Sequence, residues 1–252
     1  MNIIELTEEI AKQLNEVKPM RAWNGKLSRI DDLIAWMYDK DILTASDKKK
    51  KDSLFHKYYR YYNDGDFPRG IKTVDANQYR WSRTGSSSWK KEIEDKIEYE
   101  LEQQLENFIS YILSKYLPKI DRKDFRYDNA ISKINDVLDA LKDNNFLSIN
   151  SIDYFSKAVK TDNPQVTELL EELKTLYERY KEIAKNVKDP NGWTQDSTFD
   201  NKVYGYSRDE IRKQSPEAAQ LIDDIEIVLT KLRNFYNNLK IATIQAYEIS
   251  KE

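Results

Sequence analysis

Towards the C-terminal end, apolar residues recur in alternating steps of four and three: Leu221, Ile225, Val228, Leu232, Phe235, Leu239, Ala242, Ala246 and Ile249. That spacing keeps one face of an α-helix apolar for about eight turns, because three and four residues bracket the helical period. Ile222, Leu229 and Tyr236 widen the seam to the arc of a core-facing helix. Ser215 and Pro216 stand just before it as an N-cap and a first-turn proline. A helix over about 216–250 is expected to run roughly 50 Å.

The same pattern recurs upstream. Val166, Leu169, Leu173, Leu176, Tyr180, Ile183 and Val187 mark a helix over 164–187, with Pro164 at its start. Ile93, Ile97, Leu101, Leu105, Phe108 and Ile112 mark another long one, capped by the serines at 86–88 and stopped by Pro118. Ile131, Ile134, Leu138 and Leu141 indicate a shorter helix, and Ile152, Phe155 and Val159 one more. Further helices are expected near 3–17, 27–39 and 47–63. Gly25 separates the first two of these, and Thr44 to Asp47 cap the third. No segment alternates with period two, so the chain is expected to be all-α. Seams near a 3.5-residue period pack as an elongated antiparallel helical bundle or coiled-coil-like hairpin. We therefore expect a small helical N-terminal module over 1–86, followed by a long-helix bundle over 87–252.

Composition suits this architecture. The 252 residues include only six Gly and six Pro, 34% are charged, and 12% are aromatic, too many for a disordered chain. Cysteine is absent, which removes disulfides, thiolate chemistry and any support for secretion. The start, MNIIELTEEIAKQLNEV, is acidic and amphipathic, without the basic start and apolar run of a signal peptide. The longest apolar run, Leu33 to Tyr38, is far short of a membrane span. A cytoplasmic protein with no membrane partner is expected. A homodimer through the long helices is an alternative use of the same seams.

Two connections exceed what a turn requires. Residues 188–215 contain Trp193, Phe199, Tyr204 and Tyr206, which are expected to dock the loop on the bundle or to meet a partner. Residues 63–88 link the N-terminal helices to the long third helix.

Preceding that second connection is SLFHKYYRYYN, residues 53–63. On a helical wheel Leu54, Phe55, Tyr58, Tyr59, Tyr61 and Tyr62 share one arc, while His56, Lys57, Arg60 and Asn63 lie opposite, with Lys49, Lys50 and Ser53 extending that face upstream. The aromatics are expected to be mainly core with hydroxyls near the rim, and the outward face to be basic. From Asp47 to Lys91 there are twelve Lys or Arg against five Asp or Glu, a net +7; the chain as a whole carries −3, so the remainder carries −10. A positive module on an acidic protein is the footprint of phosphate-backbone binding. Within it, Tyr79, Trp81 and Trp89 interleave with Arg80, Arg83, Lys90 and Lys91; cations neutralise phosphates while aromatic faces stack on bases. The serines at 86–88 stand at a helix N-terminus, which also favours an anion. The candidate surface thus comprises Lys49, Lys50, Lys57, Arg60, Arg69, Lys72, Tyr79, Arg80, Trp81, Arg83, Trp89, Lys90 and Lys91.

Catalysis finds little footing. His56 is the single histidine, it falls on a basic face without a nearby nucleophile, and a His/Cys zinc site cannot be assembled. The glycines form neither a phosphate-binding loop nor a dinucleotide fingerprint. Asp64-Gly65-Asp66 suits a divalent ion but equally a helix-ending turn. Asp75 with Glu94-Asp95-Lys96 resembles the residue types of metal-dependent nucleases, yet Glu94 falls on a helix. The leading expectation is a non-catalytic nucleic-acid-binding protein without cofactors. The runner-up is an accessory or inhibitor protein, for example phage-encoded, that docks on a host or defence protein through the acidic bundle, the 188–215 loop or the same basic patch, for which an acidic protein partner is the alternative ligand to nucleic acid.

Overall fold

The computed structural model describes residues 25–64, 87–117, 120, 122–142, 163–184 and 208–251. These form seven α-helices and no strand: α1 (Gly25–Asp39), α2 (Ala45–Asp64), α3 (Ser87–Tyr116), α4 (Tyr127–Lys142), α5 (Pro164–Ala184), α6 (Arg208–Gln214) and α7 (Pro216–Lys251). The helices expected near 3–17 and around 152–159 lie outside the described residues. No helix among those described is long and apolar enough to cross a membrane.

The chain divides into two compact units that interleave along the sequence. The first comprises Met1–Ile112, Asp121–Tyr127 and Asn238–Glu252, and the second Leu113–Ile120 and Asp128–Asn237. Residue 87, where the sequence suggests a division, is the first residue of α3.

In the first unit α1 ends in a left-handed turn. Asp41 adopts a left-handed φ of 55°, the N–H of Ile42 reaches the carbonyl of Met37 at 2.9 Å, and that of Asp41 reaches Tyr38 at 3.1 Å. This is a Schellman closure, with Ile42 and Met37 as its fully buried apolar pair. Two residues later Thr44 opens α2 with a capping box. Its N–H and hydroxyl both donate to the Asp47 carboxylate, at 2.7 and 2.9 Å, so Asp47 reaches back to the cap. The helix therefore begins at Ala45, slightly before the expected start near residue 47. Phe55 and Tyr58 are fully buried, and Phe55 meets Phe108 of α3 edge-on at 6.1 Å. The α3 seam from Ile97 through Leu101, Leu105 and Phe108 to Ile112 has no exposed surface. Within this unit α7 is enclosed on several sides, with Leu239, Ile241, Ala242, Thr243, Gln245 and Ala246 all buried. The Thr243 hydroxyl is satisfied by the Leu239 carbonyl of its own helix at 2.8 Å.

The second unit gathers around Tyr116. Its ring packs against Phe235 at 4.9 Å, its phenol oxygen accepts from the Asn163 side-chain amide at 2.7 Å, and its carbonyl accepts from the Tyr236 hydroxyl at 3.3 Å. Asn163 also caps α5, accepting from Gln165 and Val166 N–H, with Pro164 at the first helical position. Ser215 caps α7 in the same way, accepting from Ala218 N–H at 3.2 Å. Arg233 closes α4 by donating to the Leu141 carbonyl at 3.0 Å while pairing with Glu226 at 2.7 Å.

All nine residues of the α7 seam are buried. On α5 the buried stripe runs through Val166, Leu173, Tyr177 and Tyr180, whereas Leu169, Leu176 and Ile183 are only partly covered. The stripe is turned towards Tyr177, whose ring carries more apolar area than the aliphatic positions beside it. Within the connection read as a loop over 188–215, residues 208–214 are helical. Ile211 is their buried anchor; a single apolar position in seven residues offers no periodicity to read.

Candidate nucleic-acid interface

The site begins with the cap of α2. The Thr44–Asp47 box fixes the first turn, and lysines 48 to 51 follow at once, spread around the helix. Lys48 and Lys49 are exposed, as are Ser53 and His56 further along. Asp52 shares this outward side. Lys50 and Lys51 turn to neighbouring rings instead. The Lys50 ammonium lies 5.7 Å from the centre of the Tyr111 ring on α3. The Lys51 ammonium lies 5.3 Å from that of Tyr59 and 3.4 Å from the Asp31 carboxylate of α1. Tyr59 donates its hydroxyl to the same carboxylate. Burial, then this hydrogen bond and the Asp31 charge, push the Tyr59 phenol well above its ordinary pKa. The Lys57 ammonium sits 5.0 Å over the Tyr58 ring.

Of the sequence-derived candidates, Lys49 and Lys91 are exposed, while Lys50 and Lys57 are half-buried with their charges on aromatic faces. Arg60 lies on α2, and Trp89 and Lys90 on the first turn of α3. Arg69, Lys72, Tyr79, Arg80, Trp81 and Arg83 lie outside the described residues, as do Trp193, Phe199, Tyr204 and Tyr206.

One charged position went unseen in the sequence. Arg122, in the segment after α3, brings its guanidinium 5.3 Å from the centre of the Tyr111 ring, the ring that Lys50 already approaches. Both belong to the first unit. DRKDFR, residues 121–126, nearly balances its charges and offered no signal. Only the fold joins it to the lysine run.

A second polar cluster lies in the same unit. Lys26 pairs with Glu102, and Tyr127 lies 3.2 Å from the Ser250 hydroxyl oxygen, whose proton goes to the Ala246 carbonyl. Burial first, and then the Glu102 charge, raise the Glu106 carboxyl above its usual range. Burial, reinforced by both carboxylates, raises the Tyr127 phenol strongly. Lys26 thus answers Glu102, and Tyr127 and Ser250 share a hydrogen bond. Among the described residues no group of three or more His, Cys, Asp and Glu is arranged to hold a metal ion. Of the acids read as possible metal ligands, Asp66 and Asp75 lie outside the described residues. Asp95 is exposed on α3, and Lys96 pairs with Glu92 at 2.9 Å.

No protein-family model, curated protein or solved structure matches the chain.

Proposed function

We propose that the protein is a non-catalytic nucleic-acid-binding protein that contacts the phosphate backbone through the basic and aromatic surface of residues 49–91. The observation that carries this reading is the segregation of charge: net +7 over residues 47–91 in a chain of net −3. A positive module on an otherwise acidic molecule concentrates a polyanion at one surface and repels it elsewhere. The exposed ridge of Lys49, Ser53 and His56 on α2 supports it, as do the tryptophans interleaved with arginines over 78–91. The absence of cysteine accords with the reducing cytoplasm, where we place the protein.

The test compares wild type with a variant carrying Arg60, Arg69, Arg80 and Arg83 changed to Ala. Each is titrated with labelled single- and double-stranded oligonucleotides of random sequence at low salt. Wild type is expected to bind both forms and the variant to bind at least tenfold more weakly, as loss of several phosphate contacts demands. Absence of wild-type binding to either form overturns the reading. An acidic protein partner, captured through the same patch or through the 188–215 segment, then becomes the explanation of the charge.

A further inference from the structure

The α5 helix carries an apolar row that its own unit leaves half-covered. Leu169, Leu176 and Ile183 are half-buried, although Val166, Leu173, Tyr177 and Tyr180 beside them are buried. Steps of seven advance an α-helix almost two whole turns and drift by only about 20° each, so the three side chains form one stripe. Glu172 and Arg179 stand three residues beyond Leu169 and Leu176, on the outer flank of that stripe, and both are exposed. The α7 seam, by contrast, is buried within the chain from Leu221 to Ile249 and leaves nothing for a second copy. Charge is also uneven along α5. Residues 164–173 hold three acids and no base, a net −3, whereas residues 174–184 hold three bases against two acids, a net +1. A helix with that polarity repels a parallel copy of itself and attracts an antiparallel one.

We propose that α5 is a homodimerisation face, which packs antiparallel on α5 of a second copy of this chain about a two-fold axis at Leu176. The spacing is self-complementary under that operation. Leu176 meets its own counterpart, and Leu169 lies opposite the partner's Ile183, because each is seven residues from the axis. Glu172 falls beside the partner's Arg179, and the symmetry repeats that pair on the other side. Arg179 already donates to Glu217 of its own chain at 2.8 Å, and its guanidinium has further N–H groups for a second carboxylate. The helix is 21 residues long, about 32 Å. One row of three apolar residues makes a modest contact, so monomer and dimer exchange with concentration rather than forming an obligate pair. This assignment goes beyond the nucleic-acid reading and does not depend on it.

The experiment is analytical ultracentrifugation of the full chain over a concentration series at low salt. Wild type is expected to pass from monomer to dimer as concentration rises. Glu172→Arg sets like charges against the partner's Arg179, and Arg179→Glu sets like charges against the partner's Glu172. Each variant alone should dimerise about tenfold or more weakly than wild type. An equal mixture of the two variants should regain association, because the reversed flank of one complements the reversed flank of the other. Both positions are exposed, so the thermal midpoints should stay close to wild type, and regained association itself requires both variants to be folded. Wild type that stays monomeric at every concentration overturns the proposal. A wild-type dimer that neither variant weakens uses another face and overturns it equally. Single variants that dissociate without regaining association in the mixture refute the antiparallel pairing of Glu172 with Arg179.

Discussion

The side-chain amide of Asn163 donates to the phenol oxygen of Tyr116 at 2.7 Å across 47 residues of sequence. The same side chain caps α5 with its other end, through the N–H groups of Gln165 and Val166. One buried residue thus satisfies a helix terminus and ties it to the aromatic centre of its unit. Asn163→Ala removes both functions at once. We expect a loss of about 2–4 kcal/mol, combining a cap with a buried hydrogen bond, measured by urea unfolding. Asn163→Asp keeps the cap acceptor and loses the donor, so it should fall between the two. A cost under about 0.5 kcal/mol for the alanine variant would show that the network adds nothing beyond ordinary surface exchange.

The α7 seam makes a contrast within one helix. Leu232 is fully buried, whereas Ile227 is 53% exposed. Leu232→Ala should cost about 2–5 kcal/mol, as truncation of a buried leucine does. Ile227→Ala should stay within about 0.5 kcal/mol of wild type. Equal costs at the two positions would mean that the seam is misplaced.

Asp41 holds a left-handed φ of 55° at the end of α1, a conformation that burdens side chains carrying a Cβ and suits glycine. Asp41→Gly is expected to stabilise the protein by up to about 1 kcal/mol, net of the entropy that glycine adds to the unfolded chain. Asp41→Val, β-branched, should destabilise it. A glycine variant that melts below wild type contradicts the closure described here.

How far these features can be read from sequence depends on whether they are local. The seams of α3 and α7 follow from 3.6-residue periodicity alone, and Pro164 and Ser215-Pro216 announce their helix starts without any tertiary knowledge. On α2 the burial of Phe55 and Tyr58 follows from the wheel in the same way. What the wheel does not provide is a partner. It assigns Lys50 and Lys57 to an outward face, whereas rings within reach draw their charges back onto Tyr111 and Tyr58. Arg122 was illegible for the same reason: its contact with Tyr111 of α3 comes from the fold, and its neighbours in sequence nearly cancel its charge. The α6 helix escaped notice because seven residues with one apolar anchor have no measurable period.

Glu106 gives a pH signature. Burial, and then the charge of Glu102, raise its carboxyl above the ordinary range, so the folded state holds this proton more tightly than the unfolded chain does. Its favourable contribution is present in acid and is lost as pH rises through the raised folded value. Glu106→Gln, which mimics the protonated form, should therefore raise the thermal midpoint relative to wild type more at about pH 7 than at about pH 4. An equal difference at both pH values would remove Glu106 from the account.

The central claim is that this protein grips a phosphate backbone, and its most direct measure is the salt slope of wild type. Fluorescence anisotropy of a labelled random duplex, followed from low to moderate salt, should give a straight line of log affinity against log salt. Each phosphate contact contributes about −0.9 to that slope. Replacing Arg60, Arg69, Arg80 and Arg83 with Ala should flatten the line by about three to four units if all four touch phosphate. Trp81→Ala should instead weaken single-strand binding by about 1–3 kcal/mol with the slope nearly unchanged. Wild type with no measurable affinity at the lowest salt, or with an affinity that salt does not change, would contradict the claim.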